Sequence, residues 1–200
     1  MKTAVSNGLA AAFGLLLLAG PAAAQTLDDG VLGEINFART HPQDYARVLL
    51  DEARSPRSRV SSFAYEDPAA LREAVDFLER QRPLEPLRQA PELAAVAFDH
   101  ASAQGREGGV GHVGSDGASL GERLRRRGVF ASSAAEDISY GYRTPQDVVR
   151  QLIVDSGIPS RGHRNNIFGA TYREAGVGCG GHPQYGVMCV IDFAGALVRR

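Results

Sequence analysis

The sequence predicts an α/β fold: a three-layer α/β/α sandwich around a small antiparallel sheet. Three observations carry this. Apolar residues recur at helical spacing through most of the first 155 positions. The strongest β signal lies near the C-terminus, in Glu174–Cys179 and Gly186–Phe193, two short β-prone runs joined by a turn-rich loop. In the second run Val187, Cys189, Ile191 and Phe193 alternate with Met188, Val190 and Asp192, so both faces carry apolar side chains. A strand apolar on both faces needs cover on both, and the helices supply it.

The elements follow in order. Asp28 to Arg39 carries Val31, Leu32, Ile35 and Ala38 as a helical stripe, interrupted by Thr40-His41-Pro42. Pro42 suits the first position of a second helix with Tyr45, Val48 and Leu49, since its fixed φ is helical and its missing N–H has no partner there anyway. Residues 51–68 are polar and arginine-rich, with Pro56 and Pro68, and read as a long loop. Asp67-Pro68 opens a third helix with Leu71, Val75 and Leu78. Pro91 to Gln104 forms a fourth, with Leu93, Val96, Ala97 and Ala101 on one face and Gly105 as its expected stop; His100 is expected to be a satisfied or half-exposed helical histidine. Ser119-x-x-Glu122 is a capping-box pattern for a short helix that stops at Gly128. Arg125-Arg126-Arg127 reads as its solvated basic end. Thr144-Pro145 opens a further helix with Val148, Val149, Leu152 and Ile153, and Ala135 to Tyr142 reads as another strand.

Residues 1–24 differ from the rest. Lys2 is followed by an apolar run from Leu9 to Ala19, a Gly20-Pro21 break and Ala22-Ala23-Ala24. This is the pattern of a cleaved signal peptide, too short for the ~20 residues of a spanning helix. The expected organisation is a signal peptide at 1–24, then one exported domain over 25–200, in the periplasm or outside the cell, with no later transmembrane segment. The 22 basic residues are matched by 23 acidic ones, for a formal net charge of −1. No global basic field is present to hold nucleic acid. The two cysteines, Cys179 and Cys189, flank the Gly180–Gly186 loop. In an oxidising compartment an even count favours a disulfide across the hairpin; two buried thiols are the alternative.

The chemistry-bearing stretch is Ser160-Arg161-Gly162-His163-Arg164-Asn165-Asn166-Ile167. Gly162 is suited to a close backbone approach or a positive φ. Upstream lies Gly111-His112, with Glu136 and Asp155 between the two histidines, so two imidazoles and two carboxylates are available to one site. Neutral imidazoles bind Zn²⁺ or another divalent metal, and carboxylates either complete such a site or orient the rings. A buried polar network and acid–base catalysis are the other uses of these groups. No HExxH helix, GxSxG elbow or catalytic cysteine is present, so the weakly placed nucleophile candidates are Ser115 and Ser139, beside His112 and Glu136. Gly108-Gly109-Val110-Gly111 lacks the Lys-Ser/Thr of a P-loop and reads as a flexible loop positioning His112. Arg161 and Arg164 are expected to pair with nearby acids rather than to receive an anionic ligand.

Five segments occur together in one order: Leu93 to Gln104, Gly111-His112-Val113-Gly114-Ser115-Asp116-Gly117, Ala135-Glu136-Asp137-Ile138-Ser139-Tyr140-Gly141, Gly162-His163-Arg164-Asn165-Asn166-Ile167 and Glu174-Ala175-Gly176-Val177-Gly178. In this the chain resembles the CAP superfamily of cysteine-rich secretory, antigen 5 and pathogenesis-related proteins, the SCP domain, over roughly residues 28–196. The resemblance implies the α/β/α sandwich and a cleft tetrad of His112, Glu136, Asp155 and His163, with a modest divalent-metal site at His112 and His163. Leu152 stands where the family has a tryptophan, and Asp155 where its second glutamate falls. The resemblance also implies a small amphipathic or lipid-like ligand. A peptidase-like hydrolase using the same cleft, and an envelope protein-contact module with a vestigial one, are the alternatives.

Overall fold

The computed structural model describes residues 26–54 and 66–198. The elements are α1 (Leu27–Thr40), α2 (Pro42–Arg54), α3 (Pro68–Arg80), β1 (Arg88–Gln89), α4 (Pro91–Glu107), α5 (Leu120–Arg126), β2 (Ala134–Tyr140), α6 (Pro145–Val154), α7 (Gly162–Ile167), β3 (Glu174–His182) and β4 (Gly186–Ala194). The signal-peptide reading and most of the arginine-rich stretch lie outside the described residues.

The helix starts follow their local chemistry. Thr26, Asp67 and Thr144 each accept a backbone N–H of the first turn they precede, and Pro68 and Pro145 occupy the first helical positions. Ser119 and Glu122 close the reciprocal capping box. The chain order of strands becomes β1-β3-β4-β2 in space. β3–β4 and β4–β2 are antiparallel; β1 adds two residues parallel to β3. The sheet is therefore mixed rather than purely antiparallel, because the chain from α3 lays Arg88 and Gln89 along the free edge of β3 just before α4 begins.

Strand alternation sorts the sheet into two faces. Val177, Cys189, Ile191 and Phe193 pack with Val31, Ile35, Leu49, Leu78, Leu152 and Ile167 under α1, α2, α3, α6 and α7. Ile138, Met188 and Val190 pack against Ala97 and Ala101 of α4, with α5 contributing Leu124 to a neighbouring cluster. The result is the expected three-layer sandwich, with β4 buried from Met188 to Ala194.

α4 lies on β3 at backbone distance, and glycine is what permits it. Gly176 and Gly178 face the helix, and a Cβ on either would meet the main chain of Leu93-Ala94 or Ala97-Phe98. Two strand residues advance ~6.7 Å and four helical residues 6 Å, so the small positions of the two elements stay in step along their length. Gly105 continues this contact, facing the carbonyl of Gly181. It does not stop the helix as expected; α4 runs on to Glu107 and ends at Gly108, whose φ of 74° is left-handed.

Four further expectations are corrected. Residues 51–54 complete α2 instead of starting a loop. The 160s segment forms α7, and its left-handed residue is Arg161 (φ 50°) rather than Gly162. β2 ends at Tyr140, since Gly141 takes a positive φ. The β3–β4 loop is shorter than Gly180–Gly186, because pairing continues to His182↔Gly186 and leaves three residues to turn.

Candidate functional site

The four tetrad residues come to β2, the edge strand, from different elements. Glu136 belongs to β2 itself and shares its α4 face with Ile138. His112 comes from the loop between α4 and α5. Asp155 is the left-handed C-cap of α6 (φ 54°), and His163 is the second residue of α7. α5 and α7 both pack on β2.

The structure joins these residues as two pairs. His112 Nδ1–H donates to Glu136 Oε1 at 3.0 Å, and His163 Nδ1–H donates to Asp155 Oδ1 at 2.7 Å. The carboxylates are buried, while the imidazoles reach outward: the His112 side chain is 56% exposed and that of His163 18%. A carboxylate on Nδ1 fixes tautomer and ring orientation and leaves Nε2 as the outward nitrogen. Asp155 is also a local brace, since its Oδ2 accepts the His163 backbone N–H at 3.0 Å. The shorter acid thus reaches its histidine because the left-handed turn carries it there. Leu152 is fully buried in the main core.

No hydrogen bond or ion pair joins the two pairs among the described residues. Nor do those residues hold any group of three or more His, Cys, Asp or Glu placed to ligate a metal.

Several residues at the site escaped the sequence reading. Arg123, on α5, forms a short ion pair with Glu136 and donates to the carbonyls of His112 (2.7 Å) and Ala118 (3.2 Å). Burial alone would raise the Glu136 carboxyl. The hydrogen bond from His112 and the Arg123 charge overcome it and hold the group below its usual range. Directly across the ladder, Asp192 pairs with Glu136 and is buried; burial, then the Glu136 charge, push its carboxyl well up. Asp137, on the opposite face, accepts from Asn166 Nδ2 at 2.7 Å, yet burial pushes it well up too. The only early hint of Arg123 was its place in a helix that follows His112. Burial of Asp137 and Asp192 depends on strand register, which a single sequence does not display.

The Gly109–Gly111 loop is strapped down rather than flexible. His182 donates to Gly109 O, His100 and Gln104 to Gly111 O, and Gly111 N–H donates to the Tyr140 hydroxyl. His100 is thereby a satisfied core histidine, as expected, and burial pushes its imidazole down. Ser139 is buried on the face away from α4, paired across the ladder with Cys189, and Ser115 is exposed. Neither makes a hydrogen bond to a histidine among the described residues. Arg161 and Arg164 both pair with Glu73, as expected. Cys179 and Cys189 face each other across β3–β4 and form the disulfide.

Sandwich, strand order and paired His–carboxylate dyads together define a CAP-type domain. The family profile described as the Cysteine-rich secretory protein family (CAP) matches residues 33–193, and the chain belongs to that family. Among solved structures it is similar to an extracellular SCP-domain protein of Bacillus anthracis (20% identity, 71% of this chain and 44% of that one, TM-score 0.49). An outer surface protein of Borrelia burgdorferi (18%, 56% and 79%, 0.47) and a cysteine-rich secretory protein of Staphylococcus aureus (16%, 66% and 40%, 0.43) are also similar. The chain thus spans less than half of the Bacillus and Staphylococcus structures. No curated protein matches it.

Proposed function

We propose that this CAP domain is an exported binding module that takes a small amphipathic, lipid-like ligand at the His112 side of the site. One observation carries the reading: an outward imidazole, anchored on a buried carboxylate, is flanked in sequence by two exposed apolar side chains. Val110 is 57% exposed and Val113 61%. A polar head on His112 with an apolar body across the two valines is the pairing such a surface favours. Export is supported by the signal-like residues 1–24 and by the disulfide. No helix among the described residues is long and apolar enough to cross a membrane.

Within this reading a divalent ion is an auxiliary ligand. The outward Nε2 atoms of His112 and His163 are its nitrogen donors. The donor set fits an open, weak site and not a closed four-ligand zinc centre. The hydrolase reading has less support, because among the described residues no serine or cysteine hydrogen-bonds to either imidazole.

The test is fluorescence titration of the mature protein with a fluorescent long-chain fatty acid, beside calorimetric titration with zinc. Wild type should bind the fatty acid saturably. His112→Ala and Val110→Ser/Val113→Ser should each weaken it about tenfold, the loss expected for about 1.4 kcal/mol of contact. His112→Ala/His163→Ala should abolish zinc binding. Fatty-acid binding equal in all variants would sink the proposal, as would turnover in a broad ester and peptide panel that requires His112.

A further inference from the structure

A cavity of about 310 Å³ lies between α4 and α5, with Arg123, the ion-pair partner of Glu136, in its wall. Its lining includes four arginines. Arg123 and Arg126 of α5 and its C-cap Arg127 stand at i, i+3 and i+4 spacing, and Arg106 comes from the last turn of α4. Three acids, Asp99, Glu107 and Asp116, share the wall.

The charges are not locked. Arg126 pairs with Asp116 and Arg127 with Asp99, but all four side chains are about half exposed. Such exposed pairs contribute little to stability, so a better anion displaces the carboxylates at little cost. Arg106 makes no ion pair among the described residues. Arg123 is different: its side chain is only 10% exposed, held by Glu136, and its Nε–H is buried without a hydrogen-bond partner. A nine-tenths buried guanidinium held in the wall of a cavity ringed by three movable ones is a built recognition element. Planar guanidinium forks bind the oxygens of phosphate or carboxylate two at a time, and more than one fork suits more than one negative charge.

We propose that the α4–α5 cavity is a binding site for a small doubly charged oxyanion, the chemistry shared by free phosphate and a phosphate monoester. Arg123 is shared with the Glu136–His112 pair, whereas Arg106, Arg126 and Arg127 are not, so the proposal does not rest on the ligand surface around His112.

The experiment is titration of the mature protein at low ionic strength with inorganic phosphate and, in parallel, with glycerol 3-phosphate, followed by amide chemical shifts. Saturable shifts in Arg106, Ser115, Asp116 and the α5 amides are expected with at least one probe; the arm that binds more tightly identifies free ion or monoester as the source. Arg126→Gln/Arg127→Gln should weaken binding at least tenfold. Arg106→Gln, an exposed change with no ion pair to break, should weaken it several-fold with the melting temperature unaltered. His112→Ala/His163→Ala should leave it intact. Absence of saturable shifts with both probes would overturn the proposal. Binding unchanged in both arginine variants would overturn it equally, as would shifts mapping elsewhere.

Discussion

Replacing Gly176 by alanine tests how the sandwich is held together. The new Cβ would stand 2.7 Å from Ala94 Cα, with Ala94 N and Leu93 C nearer still. Ordinary contact begins near 3.4 Å and the nearest atom, Ala94 N, stands at 2.0 Å, so α4 must lift by about 1.4 Å, and the obstacle is main chain that cannot rotate aside. Overpacking of this kind costs roughly 1–3 kcal/mol, and a rigid backbone obstacle places it at the upper end. For a domain of this size that is a fall in Tm of roughly 6–12 °C. Gly178→Ala should behave alike, since its Cβ would stand 2.7 Å from Ala97 C. Gly180→Ala is the control. It lies on the same strand face, but its nearest neighbour is Ala101 Cβ at 3.9 Å, an ordinary contact. It should shift Tm by no more than about 2 °C in either direction, within the range of β-propensity effects. Scanning calorimetry of the three variants checks this. Three equal Tm values, or a Gly180→Ala variant as damaged as Gly176→Ala, would refute close backbone packing as the reason for these glycines.

Two further predictions concern the sheet. Cys179→Ser/Cys189→Ser removes a cross-link between positions ten apart, for which loop-closure entropy gives about 3 kcal/mol, and denaturant unfolding should show that loss; equal midpoints with and without reductant would contradict it. Asp137 has a carboxyl raised by burial, so the folded state holds its proton more tightly than the unfolded state. Its contribution is therefore most favourable in acid and is lost as pH rises above the unfolded carboxylate range. Asp137→Asn keeps an acceptor for Asn166 and removes that titration, so the variant should gain Tm relative to wild type at pH 8 and gain little at pH 4; a difference independent of pH would show that Asp137 is not the titrating group.

Much of the architecture was legible because it rests on short-range chemistry. Capping boxes, first-turn prolines and apolar periods act within four residues, and α1, α3, α5 and α6 start where those signals stand. The hairpin and the disulfide followed from alternation and cysteine placement. The family motifs marked His112, Glu136, Asp155 and His163 because each sits in a recognisable short string. What the strings do not encode is how distant segments meet. Gly105 looks like a helix stop in one dimension and becomes a close-approach residue only when Gly181 lies against it. The parallel β1 edge has no local signal at two residues and exists because β3 offers it a partner.

The sequence by itself indicated the sandwich class, most of the helix starts and a cysteine pair across the hairpin, and its family motifs singled out His112, Glu136, Asp155 and His163. Tertiary structure alone decided that the tetrad is two His–carboxylate pairs, that Arg123 and Asp192 press on Glu136, and that four arginines ring one cavity. The physical reason is range. Propensity and capping are settled by neighbours along the chain, whereas burial, charge pairing and the pKa shifts they cause depend on which faces of α4, α5 and β2 meet across long stretches of chain.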